Sequence, residues 1–415
     1  MLGFMDYVQH AFYQASRWDR DNSYGTLTAT SRNLLDFDVP SGLRLHVSSL
    51  SSPNFATSYT LGSIGLVDGS LSYLYTSLPL SNITSKSSAI RLDRLVPGYR
   101  QLQHLYHPEE PWRWEIWHQG KRVDKREALL YGRLYLPRST LEALYLRRLT
   151  PRTQLRVSCV SDSRLPNGGT VLTHLQYDAA KYNMEYIYST DSALFGIRGL
   201  YNFGPEPSSS HLEPESSPDP TTSATKEAAA LSATQALVQP HGRFSAGGEV
   251  YYGLLNKSGG ISTGLRFATL PSHLGFPYTM TLTLNPLMGN LSSTYSVLAC
   301  PLVALSSRFD FNVYSYESEL QIGTELWRRK ASPQPDDLDW ARLKMGQTIA
   351  EKQVMLDQEE SMLGCLKACV DHRGGLGLLW EGRVKELLYS CGVTMDLRSP
   401  ENLIRGFGIE MQYSS

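Results

Sequence analysis

Two short motifs contain side chains that could bind a metal ion or attack a substrate. Cys365, Cys369 and His372 have the spacing C-x3-C-x2-H, but a structural zinc site needs four ligands and the nearby sequence supplies no fourth. Residues 260–264 match G-x-S-x-G, the pattern of a hydrolase nucleophile, which would be Ser262. Such a nucleophile sits on a sharp turn between a strand and a helix, whereas Ser262 lies among alternating apolar and polar residues. We therefore predict packing cysteines, a chance motif, and no metal ligand or catalytic residue.

Three pairs of adjacent carboxylates are the remaining candidates for acid–base chemistry: Glu109 with Glu110, Asp336 with Asp337, and Glu359 with Glu360. A general acid needs an apolar pocket that raises its pKa. Proline or other charged residues flank these pairs, so we expect the carboxylates to be solvated. We therefore predict no catalytic carboxylate in these pairs, and we expect no cofactor.

An aromatic cluster follows the first of these pairs. Trp112, Trp114 and Trp117 lie between the pair and a basic run at residues 121–126. In a soluble protein, the rings and carboxylates would suit a β-sandwich that processes glycans with Glu109 or its neighbour. In a membrane barrel, the tryptophans would belong to the aromatic girdle at the bilayer interface, beside basic residues that face lipid phosphates. We favour the girdle and keep the glycan site as an alternative.

A pair of tyrosines is a second aromatic feature. Tyr73 and Tyr75 lie two residues apart in an extended segment, so their side chains share one face. Outward tyrosines present an apolar ring with a hydroxyl group at its tip, which suits a membrane interface or contact with a partner protein. The pair is our candidate for a partner contact, with a position at the membrane interface as the alternative.

The elements that must position these residues are extended strands. From about residue 40 onward, apolar and polar residues alternate with a period of two in nearly every ordered segment. The clearest case is Phe276–Leu284, where Tyr278, Met280 and Leu282 alternate with threonines. The segment Leu291–Ala299 repeats the pattern after a turn rich in Asn, Pro and Gly, which predicts a hairpin. The polar faces also carry charges, which suits a wet lumen or a soluble outer surface.

The number of such segments predicts a closed sheet. About 40 N-terminal residues and two excursions that together hold about 80 residues are set aside. About 295 residues remain, or about 15 to 16 for each of nineteen strands with its turn. Open sheets rarely exceed about ten strands, so a barrel or a sandwich follows. Membrane strands of about 9 to 11 residues fit the count. The pattern therefore predicts an all-β chain that forms a large barrel or a sandwich, and it does not by itself distinguish sixteen strands from nineteen.

Composition agrees with a membrane barrel and argues against a nucleic-acid partner. The chain has 39 Lys plus Arg and 40 Asp plus Glu, whereas nucleic-acid-binding proteins normally carry a clear basic excess. Only 19% of residues are charged, below the roughly 25% of typical soluble proteins. No apolar run approaches the ~18 residues of a spanning helix, but alternating strands conceal hydrophobicity from such averages.

The first 20 residues depart from the alternation. Phe4, Tyr7, Val8 and Ala11 recur at helical spacing and make one apolar stripe, so residues 1–20 are predicted to contain an N-terminal helix. The segment lacks the n-region, h-region and cleavage site of a secretory signal, and its acidic residues argue against a cleaved transit peptide. We expect a retained helix, with a helix of a soluble core as the alternative.

Two later excursions interrupt the strands of a single predicted domain, residues 1–415. Residues 205–239 are rich in Pro, Ser, Glu and Thr, cannot bury a core, and are predicted to be a disordered low-complexity loop. Residues 329–374 are predicted to be a long loop with a helix from about Leu338 to Val370. The alternation resumes after each excursion, so neither marks a domain boundary.

Longer strings of residues identify a family. The opening FMDY at residues 4–7, NFATSYTLG at residues 54–62, DGSLSYLY at residues 68–75 and the ending GIEMQY at residues 408–413 together resemble the fungal mitochondrial distribution and morphology protein 10 family. The resemblance covers the whole chain except the low-complexity loop. It implies a mitochondrial outer-membrane β-barrel of the porin type, with nineteen strands and an N-terminal helix.

The resemblance also implies a non-catalytic function. Members of the family are the membrane-embedded subunit of the endoplasmic reticulum–mitochondria encounter structure, a tether at which phospholipids are exchanged and mitochondrial shape and inheritance are maintained. They also act with the sorting and assembly machinery, which inserts β-barrel proteins and helps to assemble the translocase. The implied location is the mitochondrial outer membrane at contact sites with the endoplasmic reticulum. The implied partners are phospholipids and subunits of both assemblies, and a general metabolite pore is the alternative function.

The resemblance finally implies an insertion signal at the C terminus, with the pattern polar, any, Gly, any, any, hydrophobic, any, hydrophobic. With Gly406 in the glycine position, Ile409 and Met411 are the hydrophobic residues, but an isoleucine occupies the polar position. With Gly408 in the glycine position, Met411 and Tyr413 are the hydrophobic residues, but a glycine occupies the polar position. Both registers stay open.

Overall fold

The computed structural model describes residues 1–64, 66–80, 83–105, 108, 115–119, 121–124, 127–165, 168–204, 242–329, 362–398 and 403–415. The helices in these ranges are α1 (Phe4–Ala15), α2 (Ala29–Leu35) and α3 (Leu92–Leu95), with 3-10 turns at Tyr24–Thr26 and Asp191–Ala193. The strands are β1 (Gly42–Ser52), β2 (Phe55–Ile64), β3 (Leu66–Thr76), β4 (Glu115–His118), β5 (Lys121–Asp124), β6 (Ala128–Leu136), β7 (Thr140–Thr150), β8 (Thr153–Ser161), β9 (Gly169–Asp178), β10 (Tyr182–Ser189), β11 (Leu194–Phe203), β12 (Gly242–Gly253), β13 (Ser258–Thr269), β14 (Tyr278–Asn285), β15 (Asn290–Cys300), β16 (Val303–Asn312), β17 (Ser318–Arg329), β18 (Met362–Asp371), β19 (Gly375–Val384), β20 (Leu387–Asp396) and β21 (Ile404–Ser414). None of the helices in these ranges has the length and apolar character that crossing a membrane would require.

Nineteen strands of the described chain form one closed barrel. Each pairs antiparallel with the next barrel strand along the chain, while β4 and β5 make a separate two-stranded pair. The exception is the closing pair, in which β1 and β21 run parallel, from Gly42 opposite Gly408 to Ser48 opposite Ser414. An odd number of hairpin-linked strands cannot close without one parallel pair. The predicted transmembrane β-barrel fold is confirmed, including its strand number and the hairpin of β14 with β15.

The alternation of the sequence separates the two faces of this barrel. In β14, Thr279 and Thr281 are buried while Met280 and Leu282 are exposed. In β12, Arg243 is buried while the next residue, Phe244, is exposed. Because successive strand residues point to opposite faces, the polar set lines the lumen and the apolar set forms the outer surface.

Helix α1 lies in the lumen. Phe4, Val8 and Phe12 are buried in one apolar cluster with the inward-facing Leu74 of β3 and Leu146 of β7. The predicted apolar stripe therefore packs against the inner face of the barrel wall. Fully burying a large apolar side chain contributes about 1.5–3 kcal/mol, so this cluster supplies much of the free energy that holds the helix there.

The helix ends at Ala15, before the predicted limit of residue 20. Arg17 adopts a left-handed backbone conformation with φ of 53°. The Trp18 amide then donates a hydrogen bond to the Tyr13 carbonyl oxygen at 3.0 Å. This bond satisfies a carbonyl group of the last turn and stops the helix.

Two stretches of chain occupy the lumen, and we call residues 1–41 and 83–105 the lumenal segments. In the second segment, Ile90 and Leu92 join the apolar cluster around α1. In the first, α2 contacts the wall from β15 to β18. Both guanidinium Nη atoms of Arg308 donate to the carboxylate of Asp36, at 2.5 and 2.7 Å. The lumenal segments are thus bound to the wall by apolar packing on one side and by charged hydrogen bonds on the other.

The helix predicted from about Leu338 to Val370 is wrong over residues 362–370, because these residues belong to β18. The pairing of β17 with β18 shifts register between Arg328 and Arg329, which leaves Leu363 as an extra residue in a β-bulge. Leu363 and Leu366 are consequently both exposed, three residues apart. A bulge thereby imitates the apolar spacing of a helix. Residues 330–361, and the predicted loop at 205–239, lie outside the described residues.

The strand directions place all long connections at one end of the barrel. We call the end where β1 and β21 finish, at Ser52 and Ser414, the C-terminal mouth. The chain leaves this mouth after β3, β11 and β17, and re-enters at β6, β12 and β18. The long stretches at residues 77–127, 204–241 and 330–361 therefore all begin and end here. Connections at the opposite mouth have no more than seven residues, the longest being residues 162–168 and 397–403.

Candidate functional site

The outer surface of the barrel is the largest functional feature of the molecule. Along β10, Tyr182, Met184, Tyr186 and Tyr188 are all exposed, and their neighbours Phe195 and Ile197 on β11 continue the surface. Soluble monomers rarely expose apolar patches beyond a few hundred Å². Here exposed apolar side chains recur on strand after strand around the ring, which is the surface that contact with lipid hydrocarbon requires.

Aromatic rings concentrate at both edges of this apolar surface. At the C-terminal mouth, outward rings on neighbouring strands contact one another, with centroid distances of 6.1 Å for Tyr177 and Tyr182, 5.5 Å for Phe203 and Phe244, and 5.7 Å for Phe267 and Tyr278. At the opposite mouth, the Tyr188 and Phe195 rings lie 4.9 Å apart. Rings at two levels form the girdles that mark the two interfaces of a bilayer.

The side chains of the tryptophans predicted to form this girdle lie outside the described part of the structure. Trp112 and Trp114 lie outside it entirely, and of Trp117 only the backbone, in β4, is described. Their assignment stays a prediction. Sequence reasoning missed the observed rings because each stands alone at a strand end, and only pairing between strands brings them together.

The predicted tyrosine pair lies on the outer face of β3. Tyr73 is 46% and Tyr75 48% exposed, and both point away from the lumen. The Tyr73 ring stacks on Phe55, with centroids 6.1 Å apart, and meets Tyr59 edge-on at 6.5 Å. The pair is therefore part of a cluster of rings that spans β2 and β3 at the C-terminal mouth.

The residues of the implied insertion signal occupy β21, the closing strand. Gly406 and Gly408 face the lumen, whereas Ile409, Met411 and Tyr413 lie on the outer face. A Cβ atom at position 408 would collide with the backbone of Pro40, so a glycine is needed for the N-terminal segment to pass there. The observed faces are compatible with both registers of the signal, and its assignment stays a prediction.

The motifs with possible chemistry are separated by the strand geometry. Cys365 and Cys369 stand on β18 and not on one helical turn, and four strand residues span about 13 Å, too far for a shared zinc ion with Zn–S bonds of about 2.3 Å. No group of three or more His, Cys, Asp or Glu in the described ranges has the geometry of a metal site. Ser262 lies within β13, where its hydroxyl contacts the Tyr24 hydroxyl at 2.7 Å. Glu109 and the other paired carboxylates lie outside the described residues.

Charged groups buried in the lumen are features that the sequence did not reveal. Glu325, Lys367 and Glu381 point inward from β17, β18 and β19 and are fully buried. The Lys367 ammonium lies 3.6 Å from the Glu381 carboxylate, which also pairs with the amino group of Met1. Glu325 accepts hydrogen bonds from the Tyr99 amide at 3.1 Å and from the Trp327 indole at 2.7 Å. These contacts join the wall to both lumenal segments.

Burial also shifts the pKa values of titratable side chains in the first lumenal segment. Desolvation raises the pKa of Asp6 above its usual value, against the opposing effect of Arg133. Desolvation lowers the pKa of His10 to about 4, with a further contribution from the charges of Arg20 and Arg100. The Arg20 Nη1 atom lies 2.9 Å from His10 Nε2, which fits a neutral imidazole that accepts this hydrogen bond.

Comparisons with known proteins agree with this geometry. A family model described as mitochondrial distribution and morphology protein 10 matches residues 1–354 and 338–415. Proteins named "Mitochondrial distribution and morphology protein 10" are 60% identical in Phaeosphaeria nodorum and 55% identical in Sclerotinia sclerotiorum, each covering 100% of both chains. One from Podospora anserina is 44% identical, again over 100% of both chains.

A closed barrel with an apolar outer surface between two aromatic girdles belongs to the class of membrane-embedded β-barrel proteins. Within that class, the chain belongs to the mitochondrial distribution and morphology protein 10 family. Family and fold together indicate a structural or transport protein, and both fit a position in the mitochondrial outer membrane.

Proposed function

We propose that this barrel takes part in mitochondrial distribution and morphology by anchoring the endoplasmic reticulum–mitochondria encounter structure in the outer membrane. In this assembly it supports tethering and phospholipid exchange, and it holds the other subunits at contact sites with the endoplasmic reticulum. We further propose that it acts with the sorting and assembly machinery in the insertion of β-barrel proteins and the assembly of the translocase. No catalytic step is part of the proposal.

The observation that carries the proposal is the concentration of long connections at the C-terminal mouth. A closed barrel has no free strand edge to which a partner could add a strand. Partners must therefore bind connecting segments or outward side chains. Three long stretches begin and end at this mouth. Residues 83–105 of the first stand in the lumen, so residues 204–241 and 330–361 are the segments that we propose for docking peripheral subunits.

The docking role of two of these stretches is testable by replacement. Residues 210–235 and residues 335–358 are each replaced by a Gly/Ser linker of the same length, so that the strands stay connected. We expect at least one replacement to reduce co-isolation of the tether subunits from mitochondria about tenfold or more, the loss that removing about 1.4 kcal/mol of binding energy would cause.

Resistance to carbonate extraction is the control, because it reports that the barrel is still inserted in the membrane. Unchanged recovery of the tether subunits with both replacements combined would contradict the docking role. Release of the unmodified chain by carbonate would contradict the membrane location and would restore the soluble glycan-processing alternative.

The tyrosine pair on β3 is our candidate for a lateral contact with the sorting and assembly machinery. Changing Tyr73 and Tyr75 together to Ala removes two large exposed rings, and truncating a tyrosine that is a hot spot of an interface costs about 2 kcal/mol or more. We expect roughly 30-fold weaker co-isolation of that machinery, with the tether subunits retained. The same double change at Tyr186 and Tyr188, an exposed i, i+2 pair on β10, is the matched control. Equal losses for the two double variants would argue for a general effect on the barrel.

The alternative function, a general metabolite pore, requires a wide and permanently open lumen. The lumenal segments stand inside the barrel, and the apolar cluster around α1 packs them against β2, β3, β6 and β7. This filling favours a scaffold over a general pore.

A further inference from the structure

Two arginines stand buried in the lumen near the C-terminal mouth. Arg266 of β13 is 3% exposed and Arg243 of β12 is 5% exposed. Arg266 pairs with Ser245 across the two strands, and Arg243 lies two residues before Ser245 on β12. The two side chains are therefore diagonal neighbours on the same inward face, a spacing at which long side chains reach one another.

The two guanidinium groups are deeply buried but form few hydrogen bonds. The Nε and Nη2 atoms of Arg266 and the Nε atom of Arg243 are buried without a hydrogen-bond partner. Arg243 Nη1 donates to the Gln103 carbonyl oxygen at 3.2 Å. A buried charge is costly unless it is paired and hydrogen-bonded, so these groups present unused donors to the interior.

The nearby carboxylates are already engaged. Asp19 and Asp21 are the acidic residues whose charges act on both arginines. The Asp21 carboxylate pairs with Arg100 at 3.0 Å, and Asp19 Oδ1 accepts the Asp21 amide at 2.9 Å. Neither forms an ion pair with Arg243 or Arg266 in the described part of the chain.

The neutral groups next to Arg266 are engaged as well. Its cross-strand neighbours are Ser245 on β12 and Thr281 on β14. The Ser245 hydroxyl donates to Asn202 Oδ1 at 2.7 Å, and the Thr281 hydroxyl bonds to that of Thr294. The two cross-strand neighbours of Arg266 are therefore polar but carry no negative charge.

Two other lumenal arginines differ in this respect. Arg198 of β11 lies 2.9 Å from the Glu249 carboxylate, and Arg308 of β16 binds Asp36 through two nitrogen atoms. At these two positions the lumen pairs an arginine with one of its own carboxylates, whereas Arg243 and Arg266 form no such ion pair within the described ranges.

We propose that Arg243 and Arg266 form a lumenal binding site for a phosphate group, carried either by inorganic phosphate or by a lipid headgroup. Planar guanidinium groups bind phosphate oxygens through two parallel hydrogen bonds, and the unpartnered nitrogen atoms are the donors that such an oxyanion would use. The site lies about 3 to 10 Å below the end of its strands, given about 3.4 Å per strand residue. It is independent of the docking surfaces proposed above.

The test uses the full-length chain purified in a nonionic detergent. Binding of inorganic phosphate and of dihexanoyl phosphatidic acid, below its micellar concentration, is measured by isothermal titration calorimetry, with ionic strength held constant by sodium chloride. The variants are R266Q, R243Q and R266K, and R198Q is the matched control because Arg198 already has carboxylate partners. We expect one saturable site for at least one of the two probes.

R266Q and R243Q should each weaken this binding at least about tenfold, because each removes charge-assisted hydrogen bonds. R266K should be intermediate, since it keeps the charge but loses the planar fork, and R198Q should bind as the unmodified chain does. Binding of both probes identifies the phosphate group itself as the ligand, and binding of phosphatidic acid alone identifies a lipid headgroup. Absence of saturable binding for both, or equal affinity in R266Q and the unmodified chain, would overturn the proposal.

Discussion

At the scale of single residues, burial in the lumen shifts the pKa values of side chains and brings opposite charges into pairs. His10 is held neutral by desolvation and by the nearby charges of Arg20 and Arg100, while the partly opposing charge of Asp21 is bound to Arg100 at 3.0 Å. Glu381 lies between two cations, the Lys367 ammonium and the Met1 amino group. Pairing of this kind holds the lumenal segments in place, because removing one partner would leave a buried charge.

The His10 titration predicts how acid affects the folded barrel. The imidazole has a pKa of about 4 when folded against 6.5 for the free group, so the unfolded chain takes up the proton first as the pH falls. Stability present above pH 6.5 should be lost between pH 6.5 and about 4, by about 1–2 kcal/mol after allowing for partial solvent screening. Thermal unfolding in detergent at several pH values measures this loss.

H10Q is the reference variant for this measurement, because Gln keeps an acceptor for Arg20 but does not titrate. Asp6 and Asp19 have pKa values raised by burial, so they gain protons in the folded state first and change stability in the opposite direction. Since both remain in H10Q, the difference between the two proteins isolates His10. Parallel pH profiles for the two would refute the assignment.

At the scale of elements, α1 is held by packing more than by its own helical propensity. Its 12 residues are at the lower limit for an isolated helix to persist in water, and the Gly3 N-cap supplies no side-chain hydrogen bond. Phe12 is fully buried in the cluster against the wall. The formation of α1 and its packing against the barrel wall therefore depend on each other.

Replacing Phe12 by Ala tests this dependence. The cavity and the lost apolar contact should cost about 3–5 kcal/mol. We expect much faster hydrogen exchange in the backbone amides of α1, while the barrel strands stay protected. The control is Q14A, because Gln14 is exposed on the same helix and Ala favours helix formation. Unchanged protection of α1 in F12A would show that the helix is held by other contacts.

Some elements follow from the sequence and others do not, for specific reasons. Alternation in residues 276–284 and 291–299 predicts the observed hairpin of β14 and β15, since the strand period is local. The end of α1 depends on the backbone of Arg17, for which no glycine gives a signal. The bulge at Leu363 likewise hides β18, because its extra residue arises from pairing with β17.

At the scale of the whole molecule, the barrel is closed outside and occupied inside. The outer face meets lipid, the lumenal segments fill space that would otherwise conduct, and the long connections gather at one mouth. These three properties together suit the proposed anchor, in which the surfaces that bind partners lie at the C-terminal mouth and on the outer face of the barrel.

Filling of the lumen predicts the conductance of the protein in planar bilayers. Deleting residues 2–35 removes α1 and α2 but leaves every described barrel strand intact. We expect the deletion to raise single-channel conductance at least about twofold, because unplugged barrels of about 16 to 18 strands leave an aqueous channel.

Two controls accompany this measurement. Hydrogen exchange should show that the strands of the deletion variant stay protected, and Q14A should conduct as the unmodified chain does. Equal conductance of the unmodified and deleted chains would contradict the filled lumen and would favour the metabolite pore.

The sequence by itself determined most of the strands, their apolar and polar faces and the family, because these depend on a period of two and on contiguous strings such as residues 68–75. The tertiary structure alone decided that the apolar face looks outward, since alternation is the same in a sandwich and in a barrel. It also decided the position of α1 in the lumen, the parallel pairing of β1 with β21 and the neighbouring positions of Arg243 and Arg266 on the inner face. Each of these depends on contacts or strand pairing between residues that are distant in the chain, which no local pattern records.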